Sequence, residues 1–208
     1  MMIKIVIAMF ALTGSCSSLP QSQDNKATPS PTRREFRLNV PKDAWEPIFF
    51  EAIDKRAKLS NLKTLRVALA DDDLEIRVWH GFGLTALEGF VLKRAAGRWS
   101  AIHLNGITRK VAPAQSQIDL QTPKSGWDAC WRRLQDAGIL TLPDAAAIGC
   151  SAGALDGMSY VVECNYEGTY RTYLYDNPDL AKCDEAKRMI QIGNLISGEF
   201  ALPEMATK

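Results

Sequence analysis

Histidine occurs only twice in the 208 residues, at His80 and His103. Acid–base chemistry near neutral pH therefore has just those two imidazoles, or a perturbed carboxylate, to draw on. Neither charge dominates, with 25 basic side chains against 24 acidic ones. No basic stripe appears either, so nucleic acid is not an expected partner. No internal repeat is visible, and the CxxC pairs of zinc sites are missing, so neither a metal nor another cofactor is expected. Apolar runs are short: the one from Ile5 to Leu12 falls well below the roughly 20 residues that a membrane-crossing helix needs.

That short run has the layout of an export signal. Lys4 supplies the positive start, Ile5 to Leu12 the apolar stretch, and Thr13, Gly14 and Ser15 the small residues before a cut. The end of the segment, Leu12-Thr13-Gly14-Ser15-Cys16, resembles the lipobox of bacterial lipoproteins, with Thr13 where that family has leucine and Leu12 one place earlier. The resemblance implies that residues 1–15 are removed and that Cys16 is acylated on sulfur and becomes the new N-terminus. Ser17 after the cysteine implies an outer-membrane destination facing the periplasm. The alternative is an ordinary secretory signal and a soluble periplasmic or secreted protein. Several acyl chains on one residue anchor stably, whereas a single chain holds only marginally.

Residues 16–35 read as a flexible polar tether: SSLPQSQDNKATPSPTRR offers Leu19 as its lone large apolar residue, too little to bury. Residues 36–208 are long enough for a single domain with a substantial core. After Cys16 come Cys130, Cys150, Cys164 and Cys183, an even set suited to two disulfides in an oxidising compartment.

The fold class expected is α+β, an antiparallel meander packed by an N-terminal helix and followed by helix, hairpin and C-terminal helix. Its meander half covers about 44–110 and its helix–hairpin–helix half about 125–198. Trp45, Ile48, Phe49, Ala52 and Ile53 recur at helical spacing, which predicts a helix over 44–59. Strands are predicted at Thr64–Leu69, Leu74–His80, Leu87–Arg94 and Trp99–Leu104. Ser125 is placed to cap a second helix carrying Trp127, Cys130, Trp131 and Leu134 on one face. Ser159–Cys164 and Thr169–Tyr175 alternate as a hairpin, and a last helix runs from Leu180 to Ile196. Cys164 lies by the hairpin tip while Cys150 and Cys183 flank its open end, so a Cys164–Cys183 bridge would span far more than the Cα separation of about 4.4–6.8 Å that a disulfide permits. The pairings expected are Cys150 with Cys183 and Cys130 with Cys164.

Gly149-Cys150-Ser151-Ala152-Gly153 fits the GxSxG pattern of the serine hydrolase elbow. Its context argues against a catalytic Ser151, because a strand and not a helix follows and no histidine comes after His103. Asp71, Asp73 and Glu75 open like a calcium loop, but Ile76 and Phe82 stand where its glycine and terminal glutamate belong. In alternation, His80 shares a face with Ile76 and Val78, and His103 with Trp99 and Ala101, positions that suit packing. Glu163 and Arg171 are expected as a cross-strand pair near the hairpin tip. Tyr160, Tyr166, Tyr170, Tyr173 and Tyr175 crowd that hairpin, and the exposed members, with Tyr166, Tyr170 and Arg171 foremost, form the candidate surface for an envelope protein or glycan partner.

Asp156 to Ala186 resembles parts of exported bacterial proteins that carry no assigned activity, which implies an address but no reaction. The function expected is a lipid-anchored, non-enzymatic binding or inhibitory module of the cell envelope. The alternatives are an envelope hydrolase using Ser151 with His80 or His103, and a subunit of an envelope assembly.

Overall fold

The computed structural model of the chain describes residues 35–41, 47–82, 85–106, 117–150, 152 and 157–203. The expected signal segment, Cys16, residues 16–34 of the expected tether and Ser151 lie outside the described residues. By its internal contacts the chain divides after Arg33, and the unit Arg34–Lys208 carries the fold.

Three α-helices, α1 (Pro47–Leu59), α2 (Trp127–Asp136) and α3 (Asp184–Phe200), accompany seven strands among the described residues. The strands are β1 (Arg37–Asn39), β2 (Leu74–Phe82), β3 (Thr85–Ala95), β4 (Arg98–Leu104), β5 (Gln117–Asp119), β6 (Ser159–Tyr166) and β7 (Thr169–Asp176). All join one sheet in the order β1-β7-β6-β2-β3-β4-β5. Every pairing is antiparallel except that of β1 with β7. The mixed α+β class holds, and β6 docks beside β2, which joins the expected meander and hairpin into one sheet.

Strand alternation assigns the two faces. Leu74, Ile76 and Val78 of β2, Phe90 and Leu92 of β3, and Tyr160, Val162 and Cys164 of β6 point to one side, where Cys130, Trp131 and Leu134 of α2 and Met189, Ile192 and Ile196 of α3 cover them. Each fully buried aliphatic or aromatic side chain contributes about 1.5–3 kcal/mol, so this face holds most of the core. Trp79, Val91, Leu104, Val161 and Leu174 point to the other side, against Ile53 and Ala57 of α1.

The β6–β7 hairpin closes through Glu167 and Gly168, both at positive φ (49° and 73°). That is the requirement of the two-residue turn matching strand twist, and it fixes the register read across the pair. Thr64–Leu69, expected as a strand, is irregular. Both edges of β2 are already taken by β3 and β6, so no ladder is open to it. The short edge strands β1 and β5 carry only exposed side chains and show no alternation from which to read them. Ser125 does not cap α2: Gly126, at φ 83°, holds that position, and the Ser125 amide instead donates to Glu199 Oε2 at 2.9 Å. The last helix starts later than expected because Cys183 is its N-cap, the sulfur accepting from the Ala186 amide at 3.3 Å.

Candidate functional site

The α1 side of the sheet is unusual in what it buries. Odd-numbered positions of β2 and β6 and even-numbered positions of β7 share this face, and the register sets Arg77 opposite Glu163 and Glu163 opposite Thr172. Arg77 and Glu163 are each only 2% exposed. Arg77 donates to Glu75 Oε1 from Nε (2.8 Å) and Nη2 (2.5 Å), and from Nη2 to the Lys63 carbonyl at 2.7 Å. Glu163 accepts from the Trp79 indole at Oε2 and from the Tyr170 hydroxyl at Oε1, both at 2.8 Å. Burial first, and then the neighbouring Glu163 carboxylate, push the Tyr170 hydroxyl well above its ordinary pKa, so it stays a donor. A buried ion pair contributes little net stability over apolar packing, because desolvation of both charges offsets their attraction. The opposite face of the same strands is packed with aliphatic and aromatic groups.

Residues 60–70 pass over this array as an irregular strap. Asn165 Nδ2 donates to the Leu65 and Val67 carbonyls at 2.7 and 2.6 Å, and Arg77 holds the Lys63 carbonyl. The strap's carbonyls are thus taken by side chains where a strand would use a neighbour's amides. Cavities of about 430 and 290 Å³ lie along the strap. The larger is lined by Ala57 of α1, by Thr64, Leu65 and Arg66 of the strap, and by Arg77 and Glu163 of the sheet. At its rim Arg66 Nη2 pairs with Asp54 Oδ2 at 2.5 Å and its guanidinium lies 4.8 Å from the Phe50 ring centre.

The two histidines meet on the other face. His80 is opposite Glu88 in the β2–β3 register, and His103 is opposite Phe90 in the β3–β4 register. Glu88 Oε2 lies 3.1 Å from His80 Nε2 and 3.8 Å from His103 Nε2. The imidazoles of His103 and His80 hold the Glu88 carboxyl well below the usual carboxylate range, against the opposing effect of burial. Neither ring nitrogen of His80 has a well-aligned hydrogen bond, and its ring stacks on Tyr160 with centres 5.9 Å apart. A carboxylate orienting an imidazole is the base-and-orienter half of a nucleophilic triad. Ser151, the expected nucleophile in that reading, lies outside the described residues.

The expected binding surface on the hairpin is corrected. Tyr160, Tyr170, Tyr173 and Tyr175 are all buried, because both faces of β6 and β7 are covered, and Tyr166 packs edge-on against Trp131. Arg171 lies opposite Cys164, not Glu163, which sends the two charges to opposite faces. The Arg171 guanidinium donates to the Leu140 and Leu142 carbonyls and stacks on Tyr173 at 5.0 Å. Its role is to tie the segment after α2 to the sheet.

Cys150 and Cys183 form a disulfide with a Cα separation of 6.0 Å, the bridge expected from the hairpin geometry. The second expected bridge is corrected, since Cys130 and Cys164 are free and buried. Both face the α2 side of the core, but Cys164 Sγ donates to the Ile139 carbonyl at 3.5 Å. Burial pushes the Cys130 thiol up to about 11 and the Cys164 thiol up to about 12, which keeps both protonated and unreactive. Asp73 accepts from the Ala96 amide at 2.9 Å and Glu75 accepts from Arg77, so two of the three calcium-like carboxylates are engaged in the fold. Among the described residues no group of three His, Cys, Asp or Glu side chains is arranged to hold a metal ion.

A groove of about 640 Å³ also runs between α2 and α3, with Lys124, Arg133 and Lys187 on its rim. Of these, Arg133 is paired with Glu199, and Lys187 lies 2.8 Å from Asp184. Sequence reasoning missed Glu75, Arg77 and Glu163 as a group and Glu88 as the link between the histidines. Their only signal was charge at positions whose neighbours on the same strand are apolar. Among the described residues no helix is long and apolar enough to cross a membrane. No family model matches this chain, and no curated protein and no solved structure matches it either.

Proposed function

We propose that this chain is an exported protein of the cell envelope, anchored by lipid on Cys16, whose domain is a binding module working from the α1 side of its sheet. The lipobox-like Leu12 to Cys16, the polar tether and the Cys150–Cys183 bridge support the address. One observation carries the binding half: Arg77 and Glu163, both nearly inaccessible, line a cavity of about 430 Å³. Charged groups are retained there at a position that apolar side chains could fill. Membrane fractionation tests the anchor, with wild type sedimenting with the outer membrane and Cys16→Ser appearing in the soluble exported fraction. Retention of both in the cytoplasm contradicts it. For binding, affinity recovery of the tagged mature protein from its own envelope is expected to yield the same partner from wild type and from Tyr166→Ala, and less from a variant altered at the strap.

A second reading, an envelope hydrolase, is favoured by one specific observation, the convergence of His80 and His103 on Glu88. Its test is labelling by a fluorophosphonate probe that is lost in both Ser151→Ala and Glu88→Gln. Absence of label on wild type removes this reading.

A further inference from the structure

We infer that the smaller of the two cavities along the 60–70 strap, the one floored by β3 and β4, is a site for a fatty acid, a single acyl chain ending in a carboxylate. This rests on the reading of the α1 side as a binding face and adds the place and the chemistry. The cavity holds about 290 Å³, at the lower limit of ligand sites, which span about 300–1,000 Å³.

Register divides its floor into two rows. Val91 and Ile102 stand directly opposite each other on β3 and β4, and two residues along the same face Lys93 stands opposite Ser100. Leu62 and Ile102 pack in the same cluster as Val91, and Val67 and Leu69 of the strap extend the apolar wall. That wall is left partly open to water: Val67 is 44% exposed, and Leu62, Leu69 and Ile102 are half-buried. An acyl chain lying along the apolar row takes this surface out of water, which is the ordinary driving force of apolar burial.

The charges choose the sign of the head. Lys63, Lys93 and Glu75 border the cavity. Arg77 donates to Glu75 Oε1 from both Nε and Nη2, so that carboxylate is already matched by a cation. Lys93 Nζ lies 3.7 Å from Glu75 Oε2, beyond hydrogen-bond reach, which leaves its donors open. Lys63 is exposed, and among the described residues no carboxylate pairs with its ammonium. Asp119, opposite Ile102 on β5, is exposed and does not border the cavity. The polar row thus offers an ammonium and a hydroxyl, both able to donate to the two oxygens of a carboxylate. A cationic head would meet two ammonium groups there, and an anion without a tail would leave the Val91–Ile102 row uncovered. Lys63, Thr64 and Ser100 are exposed, so the mouth opens to solvent at its polar end.

The Trp79 indole reports on this cavity, because Trp79 and Val91 belong to one packed cluster. The experiment uses full-length Cys16→Ser protein purified without detergent, since a detergent would compete for the site. It is labelled with ¹⁵N at tryptophan, with the Trp79 indole signal assigned through Trp79→Phe. The titrants are decanoate, octanoate, acetate and decyltrimethylammonium, all below the concentration at which micelles form. The expected result is a saturable shift of the Trp79 signal with decanoate and octanoate and with neither of the others, while the Trp99 and Trp127 signals on the opposite face stay still. Decanoate is expected to bind about tenfold more tightly than octanoate, since each buried methylene is worth roughly fourfold in affinity. Lys93→Gln is expected to weaken decanoate binding about tenfold, as loss of a bond between charged groups does, and Lys93→Arg to retain it. Ser100→Trp fills the mouth from an exposed position and is expected to abolish the shift in a protein that still unfolds cooperatively. Saturation by acetate or decyltrimethylammonium, silence with decanoate, or undiminished binding by Lys93→Gln or Ser100→Trp overturns the inference. If decanoate fails while the envelope pull-down still recovers a partner, the binding module stands and the cavity assignment alone falls.

Discussion

Gly89 on β3 lies directly against the ring of Trp79 on β2: a Cβ at Gly89 would come within 2.8 Å of the indole Cε3 and Cζ3 atoms. The ring cannot easily move aside, because its N–H is held by Glu163 and it is fully buried. Gly89 therefore sets where the tryptophan sits, and the tryptophan sets where the carboxylate points. Gly89→Ala is expected to destabilise the protein by about 1–3 kcal/mol through overpacking, read as a lowered midpoint in urea unfolding. It is also expected to shift the Trp79 indole signal. An unchanged midpoint would mean that the contact is looser than described.

The Cys150–Cys183 bridge closes a loop with a sequence separation of 33, and restricting the unfolded chain by a loop of that length stabilises by about 3–4 kcal/mol on the entropic account. Reduction, or Cys150→Ser, is expected to lower stability by that order. In a Cys16→Ser background, thiol titration is expected to find no reactive group in the native protein and two after unfolding, from Cys130 and Cys164. A peptide map containing a Cys130–Cys164 bridge would contradict the two free thiols.

Arg171 satisfies the carbonyls of Leu140 and Leu142. Arg171→Ala leaves those acceptors without their donor and is expected to cost about 1–3 kcal/mol. Circular dichroism during thermal unfolding checks this, and a change within about 0.5 kcal/mol, as for an ordinary surface substitution, would return Arg171 to the role of a surface residue.

Much of the fold was legible because its signals are local. The Trp127, Cys130, Trp131 and Leu134 stripe does face the core, and the Asn165 to Gly168 turn does close a hairpin. The face shared by His80, Ile76 and Val78 was also readable from alternation alone. What was not legible depends on partners distant in sequence. Thr64–Leu69 has a strand's composition, yet β6, drawn from almost a hundred residues later, occupies the edge it would need. Glu163 and Arg171 look like neighbours until the register, offset by a single residue, places Cys164 opposite Arg171. The hairpin tyrosines looked like a surface because nothing in β7 itself reveals that α1 and the strap cover one face and the helices α2 and α3 the other. Glu88 gains its meaning only when β2 and β4 flank β3.

Glu88 makes a prediction about pH. Its carboxyl is held below the usual range by His103 and His80, so the folded state favours the ionised form more than the unfolded chain does. The stability this adds is fully present above the unfolded carboxylate value of about 4.3 and is lost as pH falls through the lower folded value. Between about pH 5 and pH 3, wild type is expected to lose more stability than Glu88→Gln, which carries no titrating group there. Parallel losses in the two proteins would mean that the imidazoles do not act on Glu88.

The proposed anchor at Cys16 is what gives the proposed tether and envelope address their sense. Growing cells on radioactive palmitate and recovering the protein measures this directly. Label on wild type, none on Cys16→Ser, and loss of residues 1–15 from both the labelled protein and its mass is the expected result. Equal label on the two proteins, or none on wild type, contradicts the lipid anchor.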